Sequence, residues 1–231
     1  MKTRMLVYSF FVAILLAGFY SCQDSVASTD DEIDLVAEKS ALIDNCPGIT
    51  GTITEKDAEG FIFIWEEEKM AKDVYAYFFE KYKHRVFGNI TKSEAIHQLA
   101  VTRLMEGFKV ENPGSDAPGT FLNEQIAELY ATLIEMGELS LVDALKAGAL
   151  IEETDILDLK EWINETDNPS VTRVFTNLLK ASENHLRAFT GVLKVQGVVY
   201  EPTVLNDEYY AAIISRQVPD EYRAKGYNAG K

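Results

Sequence analysis

Apolar residues recur at the spacing of an α-helix from Thr54 almost to the end of the chain. No long stretch alternates apolar and polar residues as a half-buried strand does, so the pattern predicts an all-α fold. Ser140 and Asn168 are predicted N-caps, and Pro169 suits the first helical turn. The predicted helices span about 55–83, 90–109, 121–136, 140–163 and 168–196, with a short sixth helix at about 208–215.

Four of the first five helices are long enough to form a four-helix bundle, and the third is the exception. It lies in the stretch where a crossover must connect the second and third helices of such a bundle. The predicted fold is therefore a ferritin-like four-helix bundle with an extra helix in the crossover between bundle helices 2 and 3. We assign residues 54–197 to the bundle and residues 198–231 to a tail that packs on it.

The N-terminal residues 1–21 have the layout of a secretory signal, with two basic residues followed by an apolar run and a small serine. The apolar run is shorter than the ~20 residues of a comfortable membrane span. Cys22 follows directly and resembles the lipid-bearing cysteine of bacterial lipoproteins, although the preceding "FYS" departs from the usual Leu and small residues. We expect a lipid anchor on Cys22 and a place in the bacterial cell envelope, on the outer membrane or the periplasmic face; an uncleaved anchor or a plain signal peptide are the alternatives.

Residues 22–53 read as an acidic, flexible tether between this anchor and the bundle. Acylation of Cys22 would leave Cys46 without a partner, so no intrachain disulfide is expected. Two cysteines this far apart also exclude a zinc ribbon, a cysteine-ligated iron–sulfur cluster and a CxxC redox pair.

The chain is strongly acidic, with a formal net charge of −15. Such a charge makes nucleic acid an unlikely partner, because it repels the phosphate backbone. It also raises the local concentration of cations, although it does not define a site for them.

Ionisable residues interrupt the apolar face of each long helix. In the first helix this face must pass through Glu67 or Glu68, whereas Glu66 is expected to face water. In the second helix Glu94 and His97 are spaced i and i+3, which places them on one face one turn apart. The other helices contribute Glu152, Asp155 and His185.

Several unpaired carboxylates in one core would threaten a total stability of ~5–15 kcal/mol unless a cation compensates for them. Carboxylates with neutral imidazoles suit iron or manganese, and a bundle can hold a dinuclear centre with Glu and Glu-x-x-His ligands. Other interpretations stay open at this point. Glu94 could complete a capping box with Thr91, either histidine could be a hydrogen-bonded core residue, and Glu67 or Glu68 could pair with Arg103 or Arg187. His84 is expected to be exposed to solvent.

Four blocks in order, "EEEKMAKDVY", "GNITKSEAIHQLAVTRLME", "GALIEETDILDL" and "NHLRAF", resemble the uncharacterised prokaryotic family known as domain of unknown function 2202, of the ferritin-like group. The resemblance covers roughly residues 55–195. Comparison with rubrerythrin-like members implies that Glu68 is the ligand of the first helix, because Ala and Tyr follow it at +3 and +7. It also implies Glu94 and His97 in the second helix, and Glu152, with Glu153 as its rival, in the next.

The fourth block departs from the family pattern, because a second Glu-x-x-His would need Glu where Ser182 stands, and Glu183 is turned about 100° away. Asp155, one turn after Glu152, is the candidate replacement. The predicted metal ligands are Glu68, Glu94, His97, Glu152, Asp155 and His185, with Glu67 and Glu153 as second choices.

The resemblance implies a di-iron or di-manganese site that reacts with peroxide or dioxygen. Tyr75, on the same face as Glu68, is the candidate catalytic residue, as a donor of a hydrogen bond or an electron; an ordinary core tyrosine is the alternative. The chain has no rubredoxin-like CxxC pair, so turnover needs an external electron donor. A homodimer is left open. The competing function is a metal-free helical interaction or structural lipoprotein whose site has decayed.

Overall fold

A computed structural model describes residues 37, 39, 40, 42 and 48–226. Residues 48–226 are helical throughout their regular parts and contain no strand, as predicted. The helices are α1 (Glu55–Tyr82), α2 (Arg85–Phe108), α3 (Glu124–Glu138), α4 (Leu141–Glu165), α5 (Pro169–Val195) and α6 (Asp207–Ile214), followed by a 3-10 turn at Asp220–Tyr222. Within the described part of the chain, no helix is both long enough and apolar enough to span a membrane.

The four long helices form a ring of contacts around a common interior. Helix α1 packs on α2, α2 on α5, α5 on α4, and α4 on α1. The shorter α3 packs against α1 and α4, and α6 packs against α5. Every long helix therefore turns one face toward the other three, and side chains from all four can meet in the middle.

Side-chain caps fix where these helices begin. Thr54 accepts from the Asp57 N–H while the Asp57 carboxylate accepts from the Thr54 N–H, which closes a capping box at α1. Ser140 caps α4 and Asn168 caps α5, as predicted from the sequence. The boundaries follow from local chemistry that the sequence shows directly.

The start of α2 differs from the prediction, because the helix begins at Arg85 and not at about residue 90. Gly88 reads as a turn residue, but the Phe79 ring lies so close that a Cβ at 88 would be 2.8 Å from ring carbon Cε2. His84 is half-buried and not exposed, and its Nδ1 accepts from the Val86 N–H at 3.4 Å to cap α2. Thr91 lies well inside the helix, so its capping box with Glu94 does not exist.

The signal segment 1–21, the expected lipid site Cys22 and Cys46 lie outside the described residues. Residues 48–53, at the end of the expected tether, lie against the start of α5. The Thr50 N–H donates to Ser170 Oγ, and the Asn168 side-chain amide donates to the carbonyl oxygens of Thr50 and Thr52.

The prediction that Glu66 faces water is wrong. Its side chain is 1% exposed, and its two carboxylate oxygens accept from the backbone N–H groups of Leu122 and Asn123 at 2.6 and 2.8 Å. Nearby, the fully buried Lys69 pairs with Asp73 and donates to a carbonyl of the same crossover segment. The crossover between α2 and α3 therefore covers the face of α1 that its sequence marks as polar.

Replacement of Glu66 by Ala should lower the free energy of unfolding by about 3 kcal/mol, because two backbone donors lose a charged acceptor in a buried place. Urea unfolding of the metal-free protein measures the change. Glu59→Ala removes an exposed carboxylate from the same helix and should change the free energy by less than about 0.5 kcal/mol. Equal effects of the two substitutions would contradict the anchoring role of Glu66.

Candidate metal centre

The six predicted ligands come from α1, α2, α4 and α5 and are all buried in the interior that these helices share. Their exposed fractions are 2% for Glu68, 2% for Glu94, 0% for His97, 2% for Glu152, 7% for Asp155 and 9% for His185. Five of them form two groups, Glu68 with Glu94 and His97, and Glu94 with Glu152 and His185, in each of which the ligand atoms lie within 4.8 Å of one another.

Glu94 belongs to both groups, because its two carboxylate oxygens face different histidines. Oε2 lies 2.7 Å from His97 Nδ1, and Oε1 lies 3.0 Å from His185 Nδ1. Glu68 Oε2 is 3.1 Å from His97 Nδ1, and Glu152 Oε2 is 3.5 Å from His185 Nδ1. Each histidine nitrogen thus faces one shared carboxylate and one carboxylate of its own.

These separations suit ligands of a common ion. Two atoms that each lie about 2.1 Å from an ion and subtend a right angle at it are about 3.0 Å apart. His185 Nδ1 is buried and makes no hydrogen bond among the described residues, although Glu94 is close, and Glu68 Oε1 is likewise without a partner there. Ordinary hydrogen bonding therefore leaves part of this donor set unsatisfied, and the residues present fit a metal.

The Ser93 hydroxyl lies within hydrogen-bond distance of both histidines. This role was not predicted from the sequence. The hydroxyl oxygen lies 3.0 Å from His185 Nε2 and 3.4 Å from His97 Nε2, and the two rings stack with centroids 5.5 Å apart. When the hydroxyl accepts from both Nε2–H groups, each Nδ1 directs its lone pair toward the carboxylates. Its spacing could have predicted this role, since Ser93 is four residues before His97 and lies on the same helix face.

The departure at Ser182 brings Asp155 into the centre's surroundings. The Ser182 hydroxyl hydrogen-bonds Asp155 Oδ2, and Asp155 Oδ1 is buried with no hydrogen-bond partner in the described part of the chain. Glu183 lies elsewhere, with its carboxylate 3.4 Å from the Tyr209 hydroxyl. A carboxylate from α4 therefore lies beside the position where the family pattern places one on α5.

The two second-choice residues lie in different surroundings. Glu153 accepts from the backbone N–H groups of residues 203–205 and from the Tyr200 hydroxyl, so its carboxylate holds the tail. Glu67 is 4% exposed and faces α4, and burial, followed by the charges of Asp155 and Asp158, raises its pKa well above its usual value.

A family model described as "Uncharacterized protein domain (DUF2202)" matches residues 57–217, which include every predicted metal ligand. The chain belongs to this family. It is 46% identical over 164 residues to the uncharacterized protein MJ0754 of Methanocaldococcus jannaschii, a match that covers 71% of this chain and 89% of the relative.

The fold of this DUF2202 chain is similar to the crystal structure of the hypothetical protein MJ0754 from Methanococcus jannaschii. The TM-score is 0.70 at 45% sequence identity, over 72% of this chain and 95% of that one. Neither description names an activity.

Tyr75 lies at the edge of the centre of this DUF2202 chain. Its hydroxyl donates to Glu152 Oε1 at 2.5 Å, and the Gly148 carbonyl oxygen is 3.3 Å away. Burial, and then the negative charges of Glu152 and Glu94, raise the pKa of Tyr75 well above its ordinary value. The phenol therefore keeps its proton, and its hydrogen bond fixes one oxygen of a candidate ligand.

Opposing effects set the charge state of the centre. Burial raises the pKa of Glu94, but His97 and His185 outweigh burial and hold this pKa well below its usual range. Burial lowers the pKa of His185, but Glu94 and Glu152 raise it well above its usual value. Burial, followed by the charge of Glu152, raises the pKa of Asp155 to about 8. Without a metal, the cluster therefore holds protons that its exposed counterparts would release.

The metal-free protein should become less stable as the pH rises from 5 to 8. Folded Asp155, with a pKa of about 8, keeps a proton that the unfolded chain has released above pH 4, so the free energy of unfolding falls. The fall amounts to at most about 1.4 kcal/mol per pH unit for this residue. His185 acts in the same direction above pH 6.5, since its pKa in the folded protein is also raised.

Urea unfolding at each pH in the presence of a chelator measures this slope. Asp155→Asn removes the carboxyl group and should flatten the slope by about 1 kcal/mol per pH unit. A free energy of unfolding that is constant or rises between pH 5 and 8 would contradict the buried, protonated state of Asp155.

Proposed function

We propose that this protein is a ferritin-like four-helix bundle that binds two iron or manganese ions and uses them to react with peroxide or dioxygen. The ring of contacts among α1, α2, α4 and α5 supports the bundle. Short links join α1 to α2 and α4 to α5, while the long link between α2 and α4 contains α3. That connectivity is the one expected of a bundle with a helix in its crossover.

The single observation that carries the proposal is the position of Glu94 between His97 and His185. One carboxylate whose two oxygens face two different imidazole nitrogens, at 2.7 and 3.0 Å, has the arrangement of a ligand that bridges two ions. The two groups of candidate ligands share only this carboxylate, so each group could hold an ion of its own. The geometry therefore favours a dinuclear site.

The donor set favours iron or manganese. Carboxylate oxygens and imidazole nitrogens from the six candidate ligands suit these ions, whereas zinc in structural sites is commonly bound by thiolates. No cysteine occurs between residues 48 and 226. When bound, a pair of such ions supplies the electrons that reduce an O–O bond.

The residues of the chain would prepare the site for this chemistry. Glu94 joins the two halves, and His97 and His185 each complete one half, oriented by Ser93. The Tyr75 phenol holds a proton on its oxygen beside Glu152. The bundle core around them excludes bulk water, which strengthens each electrostatic interaction in the site.

Reduction of one peroxide to two waters consumes two electrons and two protons, so repeated turnover needs a reductant. The chain carries no CxxC redox pair, and we propose that an external electron donor supplies these electrons. We also propose that Cys22 carries a lipid and anchors the protein in the bacterial cell envelope. An anchored chain is poorly suited to closing an iron-storage cage, which leaves a reaction with an oxidant as the proposed role.

Metal content tests the proposal directly. The protein reconstituted anaerobically with ferrous iron should hold about two equivalents of iron, measured by mass spectrometry after gel filtration. Glu68→Ala and His97→Ala should each lose about one equivalent or more, because each removes a ligand from the same half. Glu59→Ala, an exposed change on α1, is the matched control and should keep the full content.

Iron below about a tenth of an equivalent in the unmodified protein, together with no other transition metal, would overturn the proposal. It would favour the metal-free structural role instead. Full metal content in Glu68→Ala and His97→Ala would place the ions elsewhere in the molecule.

Ser93→Ala should weaken metal binding about 10- to 100-fold without removing a ligand, because both histidines lose the hydroxyl that orients them. Competition with a chelator of known affinity measures the change. Thr132→Ala removes an exposed hydroxyl from α3 and should leave the affinity unchanged. An unchanged affinity in Ser93→Ala would show that the bundle packing alone orients the two rings.

A further inference from the structure

Glu67 is a buried acid that the proposed dinuclear centre does not use. It precedes Glu68 on α1, is 4% exposed, and its Oε2 has no hydrogen-bond partner among the described residues. Its carboxyl group faces α4, where Asp155 and Asp158 are close enough to raise its pKa further after burial has done so. No ion pair is found for Glu67 or Asp158 in the described part of the chain. Two neighbouring carboxyl groups, one buried and one half-buried, with no cation beside them raise the free energy of the folded protein unless a ligand compensates for them.

These two acids continue a row that begins inside the centre. Asp155 and Asp158 are spaced i and i+3 on α4, so they lie along one side of the helix, and Glu161 follows at the same spacing. Burial decreases along the row. Asp155 is 7% exposed, Asp158 is half-buried and Glu161 is exposed. The row therefore runs along α4 from the buried candidate centre to the protein surface.

The row also offers oxygens that other groups do not satisfy. Asp155 Oδ1 and Glu67 Oε2 are both buried and without hydrogen-bond partners in the described residues. Such oxygens can take a cation in exchange for the protons that the metal-free cluster holds, and the net charge of −15 draws cations toward the protein. An anion would gain nothing from them.

We propose that Asp158, Glu67 and Asp155 form a carboxylate path through which a divalent transition-metal ion passes from solvent to the buried centre. The proposal rests on the proposed function, since it supplies the ions of that centre. Asp158 receives the ion at the surface, Glu67 takes it between α1 and α4, and Asp155 delivers it to the ligands around Glu94. Asp158 and Glu67 bind the ion in passing, whereas Asp155 is also one of the six candidate ligands of the centre.

The rate of metal loading tests this path separately from the capacity of the centre. The metal-free full chain is mixed with Co²⁺ in a stopped-flow instrument, and the visible absorption of the bound ion is followed to its end-point. Asp158→Asn should load about tenfold more slowly and reach the same end-point, because charged clefts raise association rates by 10-fold or more. Asp158→Glu keeps the carboxylate and should load at nearly the original rate.

Glu135→Gln is the charge-matched control, because it removes one exposed carboxylate from α3 and should leave the rate unchanged. The difference between Asp158→Asn and the unmodified protein should shrink as salt is added, since screening weakens attraction at the surface.

Three results would overturn the path. Equal loading rates in Asp158→Asn and the unmodified protein would favour entry beside His185, whose side chain is 11% exposed. A lower end-point in Asp158→Asn would make Asp158 part of the binding site itself. No uptake by the unmodified protein would overturn the proposed function and the path together, and this outcome is distinct from uptake at an unchanged rate.

Discussion

The carboxylate of Glu94 is the group on which the rest of the centre depends, because two imidazoles from different helices face its two oxygens. A carboxylate this deeply buried would be costly by itself, and the two histidines compensate for it. The compensation is incomplete for the cluster as a whole. Glu68, Glu152 and Asp155 add further carboxyl groups, and burial raises the pKa of each. The interior therefore holds more acid than its own bases can balance, which is the property expected of a site built for cations.

Two pairs of nearby acids each combine a candidate metal ligand with a carboxylate that anchors another segment of the chain. Glu68 and Glu152 face the interior, whereas Glu66 holds the start of α3 and Glu153 holds residues 203–205. In each pair a carboxylate that accepts backbone N–H groups lies one or two residues from a candidate ligand. The segments that cover the bundle are thus fastened to the same helical turns that carry the ligands. Loss of the Glu66 or Glu153 carboxylate would therefore free a covering segment beside the helical turn that carries Glu68 or Glu152.

The sequence predicts well which residues face the interior, because the apolar stripe and the candidate ligands share one period of 3.6 residues. Helix caps such as Ser140 were also predictable, since capping depends on local residues. The outer faces were not. Glu66 was expected in water because periodicity places it opposite the core, and nothing in the local sequence shows that residues 109–123 return to cover it. The early start of α2 was also missed, since the Phe79 ring that packs against Gly88 comes from the preceding helix.

Ser182 stands where the resemblance to rubrerythrin-like proteins places a glutamate, and a carboxylate from another helix lies beside it. The residue that should supply a carboxylate from α5 is a serine, and its hydroxyl instead hydrogen-bonds Asp155 from the neighbouring α4. A carboxylate thus remains beside the same space, although it now belongs to the helix that already carries Glu152. Asp155 is one turn away from Glu152 and continues toward Asp158, so the replacement also joins the centre to an acidic row that reaches solvent. The departure at Ser182 is therefore matched by a carboxylate of α4 that lies beside the candidate ligands and also begins the acidic row that we trace through the described residues.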